Sequence, residues 1–172
     1  TGDLDRQRIA GLRFFYLDGL FSSFSDNLVL GFFELFLLSY GVSNGLIGLS
    51  TSIANLCGAV SLIPGALAIP RISSRKKLIV WTGGGIGRAG LLAISALPLL
   101  VGDSGAAVIC LVCLNALRTA MNNFCNPAWT SMVADLVPLT ARARYFSKRN
   151  VAVIAASIVA APIAGKIVNS FS

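Results

Sequence analysis

The sequence predicts an all-α fold, a polytopic bundle of membrane helices. Three observations carry this expectation. Of the 172 residues, 55% are hydrophobic and only 12% charged, against roughly a quarter charged in soluble domains, and the mean hydropathy is +0.78. Long apolar runs recur along the chain, several reaching the ~20 residues that cross a hydrocarbon core. The basic residues gather in short clusters between alternate runs, as cytoplasmic loops do.

The elements follow in order. Thr1–Gly11 is polar, with Asp3 and Asp5 balancing Arg6, Arg8 and nearby Arg13. The first helix is expected over about 12–40 and the uncharged Gly41-Val-Ser-Asn44 as a turn. A second helix is expected over about 45–69. Its small residues, Ser50, Ser52, Ala54, Gly58, Ser61 and Gly65, suit close helix approach, and Pro64 and Pro70 would bend or end it. Arg71, Arg75, Lys76 and Lys77 make a basic loop. A third helix, weakened by glycines, follows over about 78–100, and Gly102-Asp-Ser-Gly105 makes a turn without a basic residue. The fourth helix is expected over about 106–136 with a kink at Pro127. A second basic loop, Pro138–Arg149, precedes a fifth helix over about 150–172, kinked at Pro162. Basic and non-basic connections alternate throughout, which puts the N-terminus on the cytoplasmic side. The chain begins at Thr1 and stops within an apolar segment, so it reads as part of a longer protein, with the first run retained rather than cleaved as a signal.

Charges inside apolar helices are expensive and mark function by default. Asp18, Asp26 and Glu34 lie in the first run, eight residues apart, and each step turns them by about 80°, so they cannot share one narrow face. On the fourth helix Asn115, Arg118, Asn122 and Asn126 recur at spacings of three and four, forming one polar stripe. Such a stripe should face a water-filled cavity or another helix rather than lipid. Counted at ~1.5 Å per residue from opposite membrane faces, Asp26 and Arg118 both fall near the midplane, where pairing would lower their desolvation cost. Depth also suggests pairing Asp18 with Arg88 and Glu34 with Lys166. Asp26 or Glu34 would carry a proton if burial raises its pKa. Interhelical hydrogen bonding that only holds the bundle together is the competing reading of the stripe.

Several classes lose support. The net charge of +7 sits between apolar runs rather than along a groove for phosphates, so no nucleic-acid partner is expected. There is no histidine, hence no imidazole base or ligand. Cys57, Cys110, Cys113 and Cys125 all lie in apolar segments, where thiols serve as small packing residues, so no metal site is expected. Lys77–Gly90 reads KLIVWTGGGIGRAG, in which Gly85, Gly87 and Gly90 satisfy the dinucleotide-binding glycine pattern, with Asp103 near the place of a ribose-binding acid. That fingerprint needs a soluble strand–turn–helix unit. In this apolar context the glycines read as helix-packing positions, and neither a cofactor nor an enzymatic activity is expected.

Several stretches resemble the major facilitator superfamily of secondary transporters. Gly65-Ala-Leu67-Ala68-Ile69-Pro70-Arg71 through Arg75-Lys76-Lys77 is similar to that family's loop between helices 2 and 3, lacking its acid. Asp135 would then pair with Arg71 or Arg75. Arg118 sits where the family's fourth helix has an arginine, with Asn122 in place of a glycine. Ser157 through Ala161-Pro162 to Gly165-Lys166 resembles the family's fifth-helix motif, which is associated with antiporters. The stretch from Asn126-Pro-Ala-Trp to Asn150 also resembles a bacterial branch. The resemblance covers nearly the whole chain. It implies a partial major-facilitator-type N-terminal half, helices 1–5 of an expected 12, whose C-terminal half completes the protein.

The resulting expectation is secondary active transport of a small molecule across the cell inner membrane by alternating access, with proton-coupled efflux as the favoured mode. The substrate and protons would pass Asp26, Glu34, Asn115, Arg118 and Asn122. Gly65, Arg71, Arg75, Lys76 and Asp135 would form the cytoplasmic loop motif, and Pro162, Gly165 and Lys166 the fifth-helix motif. The alternative is a non-transporting integral membrane scaffold or sensor.

Overall fold

The computed structural model describes residues 2–101 and 105–169. Among these every regular element is helical: α1 Gly2–Ser39, α2 Asn44–Ala68, a 3-10 turn Ile69–Arg71, α3 Arg75–Ile79, a π-helical segment Val80–Gly87, α4 Arg88–Val101, α5 Gly105–Leu136 and α6 Leu139–Asn169. Among the described residues four stretches are long and apolar enough to cross a membrane: Gly11–Ser39, Asn44–Arg71, Arg75–Leu97 and Gly105–Leu136. The fifth span expected over 150–172 runs into residues outside those described, as do Asp103 and most of the turn around it.

The chain divides into two compact units. One contains residues up to Phe33 together with those from Val133 onward; the other runs from Glu34 to Met132.

In the second unit, α1 ends because Gly41 adopts a left-handed φ of +72°, open to glycine without a steric penalty. Gly41 N–H then donates to Leu38 O at 2.9 Å and Val42 N–H to Leu37 O at 3.2 Å, closing the carbonyl end in a Schellman arrangement. Ser43 caps α2 two residues later, its hydroxyl accepting from Leu46 N–H at 3.4 Å. The turn therefore falls where the sequence places it.

The burial pattern of α2 is inverted relative to a soluble helix. Its buried residues are Ile47, Ser50, Ala54, Gly58 and Gly65, mostly small, while Leu46, Leu49, Ile53, Leu56, Val60, Ile63 and Leu67 are exposed. In water each exposed Leu or Ile would forgo about 1.5–3 kcal/mol of burial. Against lipid tails it costs nothing, and small residues inside let backbones approach. The α2 hydroxyls bond their own helix, with Ser50 donating to Ile47 O at 2.8 Å and Ser61 to Cys57 O at 2.7 Å, so these hydroxyl donors are satisfied without lipid. Val80, Trp81, Ile86, Leu92, Ile109 and Leu117 continue the exposed apolar surface.

The third span widens where the glycines are. Ser74 caps α3, accepting from Lys77 N–H at 3.4 Å. The helix then runs as a π-helix from Val80 to Gly87, since Gly83, Gly84 and Gly85 contribute no side chains to hold the tighter α spiral. No strand or phosphate-cradling turn exists at the glycine pattern, and the stretch from Arg75 to Val101 is continuously helical.

Two boundaries differ from expectation. Helix α1 begins at Gly2 rather than near 12, and α6 begins at Leu139 rather than 150, so residues 139–149 are helical instead of a loop. No glycine or proline interrupts 139–149, and Arg, Lys and Ala are good helix formers. Charge marked this segment as polar without breaking it. Pro138, just before the helix, needs no donor there, and its carbonyl accepts from Ala141 N–H at 3.0 Å. Pro64, Pro127 and Pro162 all lie inside continuing helices.

The first unit is held partly by a polar clasp between α1 and α6. Ser23 Oγ donates to Val153 O at 3.2 Å and lies 2.9 Å from Ser157 Oγ. Asn27 Nδ2 donates to Ser157 Oγ at 2.9 Å and to Ser23 O at 2.7 Å. Asn27→Ala should destabilise the protein by about 1 kcal/mol, the scale of one membrane-buried hydrogen bond. Thermal unfolding in detergent checks this, and an unchanged midpoint would show the clasp to be dispensable.

Candidate functional site

The strongest candidate lies on α5, in the second unit. Within this unit its buried positions Ala107, Leu111, Asn115, Arg118, Cys125 and Ala128 lie three, four or, between Arg118 and Cys125, seven residues apart, spacings that keep them on one face as one stripe. Two polar residues occupy the middle of that stripe: Arg118 is 5% exposed and Asn115 9%. Arg118 lies about 20 Å along the axis from the start of α5 at ~1.5 Å per residue, deep within a candidate span. Asn122 is half-buried and Asn126 exposed. The polar stripe thus grades from buried to open along the helix, rather than lining a single surface.

Glycines of the third span seat this stripe. A Cβ added at Gly90 would lie 3.2 Å from Arg118 Cβ, one at Gly87 2.7 Å from Asn122 Oδ1, and one at Gly83 2.8 Å from Cys125 Sγ. Positions 118, 122 and 125 therefore meet 90, 87 and 83 in antiparallel order. On the other side of α5, a Cβ at Gly58 would lie 2.7 Å from Asn123 Nδ2, and one at Gly65 would collide with the backbone carbonyl oxygen of Phe124. Two members of the dinucleotide-like pattern, Gly87 and Gly90, are therefore seats for polar side chains. Gly85 is exposed, and an added Cβ there would meet only Val80 O of its own helix, at 3.5 Å.

Thr119 donates its hydroxyl to Asn115 O at 2.8 Å, and Asn123 Nδ2 donates to Thr119 O at 3.0 Å. These bonds within α5 satisfy the polar residues flanking the stripe. Chemically, the arrangement offers a fixed buried cation with amide neighbours, able to attract an anion or a carboxylate.

The remaining expected residues are placed as follows. Asp26 is half-buried, while Asp18 and Glu34 are exposed; Arg88 is half-buried. Arg71 ends the 3-10 turn and is exposed, as is Lys76, and Arg75 opens α3 half-buried. Asp135, Pro162, Gly165 and Lys166 are exposed. Gly65 lies inside α2, within the second helix expected over about 45–69, and faces the backbone of Phe124. Among the described residues nothing lies within 4 Å of a Cβ added at Gly165, so no close approach among them requires glycine there. Asp18, Asp26, Asp135 and Lys166 belong to the first unit; Glu34, Arg71, Arg75, Arg88 and Arg118 belong to the second. Every acid–base pairing expected from depth thus takes one residue from each unit. Among the cysteines Cys125 is buried and Cys57 half-buried, but Cys110 and Cys113 are exposed on α5, so packing within the chain describes only the first two.

Sequence reasoning missed the basic end of α6. Arg142 Nη2 donates to Ala134 O at 2.7 Å, and Tyr145 Oη donates to Leu12 O at 3.2 Å. The Arg149 guanidinium lies over Gly19, where an added Cβ would be 2.7 Å from Nη2. The available signal was a helix-compatible run of arginines with an aromatic pair, Tyr145-Phe146. Burial raises the Tyr145 phenol above its ordinary value of 10.0, and the Arg149 charge partly opposes that shift. A raised folded-state pKa contributes stability that is complete below pH ~10 and is lost as pH climbs through the folded value. Tyr145→Phe should remove that alkaline loss and cost about 1 kcal/mol at neutral pH through the missing hydrogen bond. Unfolding midpoints measured from pH 7 to 11 check both; identical profiles for the two proteins would contradict the assignment.

No protein-family model matches the chain, and no characterised protein or solved structure matches it either.

Proposed function

We propose that this chain is part of a secondary transporter that moves a small molecule across a membrane by alternating access, with the N-terminus cytoplasmic and a major-facilitator type of architecture. The observation that carries the reading is Arg118, a buried guanidinium in the middle of a candidate membrane span. Holding a cation there is costly, and such residues typically serve a pathway. The inverted burial of α2 and the four apolar spans support membrane embedding. The alternation of basic and non-basic connections supports the orientation.

In the proposed cycle Arg118, with Asn115 and Asn122, holds an anionic or carboxylate group during one part of transport. Proton exchange at Asp26 biases the switch between inward- and outward-open forms, giving proton-coupled efflux. The test is flux in proteoliposomes with a pH gradient, comparing the parent with Asp26→Asn and Arg118→Ala. Coupled transport unchanged in both variants would remove the proposal.

A second reading has its own observation. The seating of Arg118, Asn122 and Cys125 on glycines is what a non-transporting scaffold or sensor would use to fix one helix against another. Such a protein would show no flux before or after substitution, and would lose thermal stability when those glycines are enlarged.

A further inference from the structure

The first unit contains a groove of about 420 Å³ lined by Leu12, Arg13, Tyr16, Leu17 and Tyr145. Its volume lies within the range of ligand pockets, roughly 300–1,000 Å³. Its walls are almost wholly apolar: two leucines, two aromatic rings and, by inference, the aliphatic stem of Arg13, whose side chain is exposed. The groove is built, since the Tyr145 hydroxyl bonded to Leu12 O holds that ring as a wall.

Its position and charge select the occupant. Leu12–Leu17 lies at the start of the first apolar run, directly after the polar stretch 1–11, and tyrosines concentrate at that depth of a bilayer. The wall residue Tyr145 is flanked along α6 by Arg142, Arg144, Lys148 and Arg149, of which Arg144 and Lys148 are exposed. Against these cations stands the exposed acid Asp18. An apolar trough at the membrane border with the Arg13 cation in its lining matches an acyl chain joined to a phosphate. A soluble phosphate ester would leave the trough unused, and a zwitterionic lipid would gain less from the cations.

We propose that this groove binds an anionic phospholipid, with an acyl chain against Leu12, Tyr16, Leu17 and Tyr145 and the phosphate toward Arg13. The site does not depend on the transport reading and would serve a scaffold equally.

The test uses the purified chain in detergent and a phosphatidylglycerol carrying a diazirine in its acyl chain, with cross-linked peptides mapped by mass spectrometry. Cross-links should concentrate on residues 12–17 and on the peptide containing Tyr145. Unlabelled phosphatidylglycerol should compete at about fivefold lower concentration than phosphatidylcholine, the scale of one basic residue near the surface. Arg13→Gln should abolish that preference and Arg13→Lys keep it; since Arg13 is exposed, neither change should unfold the protein. Cross-links spread evenly over the exposed apolar helix faces would overturn the site. So would equal competition by the two lipids, or full competition by glycerol phosphate alone.

Discussion

Gly65→Val is expected to lower the unfolding midpoint more than any other glycine substitution considered. A Cβ at this position would fall on the backbone carbonyl of Phe124, which cannot move aside as a side-chain end can. Overpacking costs about 1–3 kcal/mol where side chains yield, so a backbone collision should reach the upper end, about 3 kcal/mol. For a chain of this size that corresponds to roughly 10 °C. Gly48 is the control: it lies in the same helix with nothing within 4 Å of an added Cβ. Gly48→Ala should be neutral, or stabilising by up to about 1 kcal/mol through helix propensity. Equal midpoints for the two variants, by circular dichroism in detergent, would show that α2 does not pack on α5 through Gly65.

Arg118→Gln is expected to reduce transport at least tenfold in proteoliposomes. A tenfold loss is about 1.4 kcal/mol, less than a charge-assisted hydrogen bond typically contributes. Glutamine keeps a polar side chain of moderate length but loses the charge and the five-donor fork. Arg118→Lys keeps the charge without the planar fork, so it should fall between the two. The ordering Arg, Lys, Gln in flux, with midpoints changed less than by Gly65→Val, marks a functional cation. Equal flux in all three proteins would reduce Arg118 to a packing residue.

The helical, membrane-type architecture was legible in the sequence because length, hydropathy and charge clustering all pointed the same way. The turn at Gly41–Asn44 was legible because glycine and serine have specific roles in ending and starting helices. The stripe of Asn115, Arg118, Asn122 and Asn126 was legible as a stripe, since periodicity fixes which residues share a face. Its gradient from buried Arg118 to exposed Asn126 was not, because burial depends on which neighbour passes where. The glycine pattern misleads for a related reason. Glycine serves both phosphate loops and close helix packing, and only the neighbours show that Gly83, which lies outside the pattern, and Gly87 and Gly90, which lie inside it, meet α5. The Ser23–Asn27–Ser157 clasp was not legible, because its two sides lie 130 residues apart in sequence and only the packing of α1 on α6 brings them together. A serine and an asparagine four residues apart in an apolar run were the available signal.

The central claim is that the α5 polar stripe serves an aqueous route through the membrane. The direct measurement is labelling of single cysteines at Asn122 and Asn126, introduced with Cys57, Cys110, Cys113 and Cys125 replaced by alanine. A membrane-impermeant thiol reagent and a lipid-soluble maleimide are compared on the protein in liposomes. The account predicts that both positions react with the impermeant reagent and that added substrate or a pH gradient changes the rate at Asn122. Protection of both from the impermeant reagent, with reaction only from the lipid phase, would contradict it.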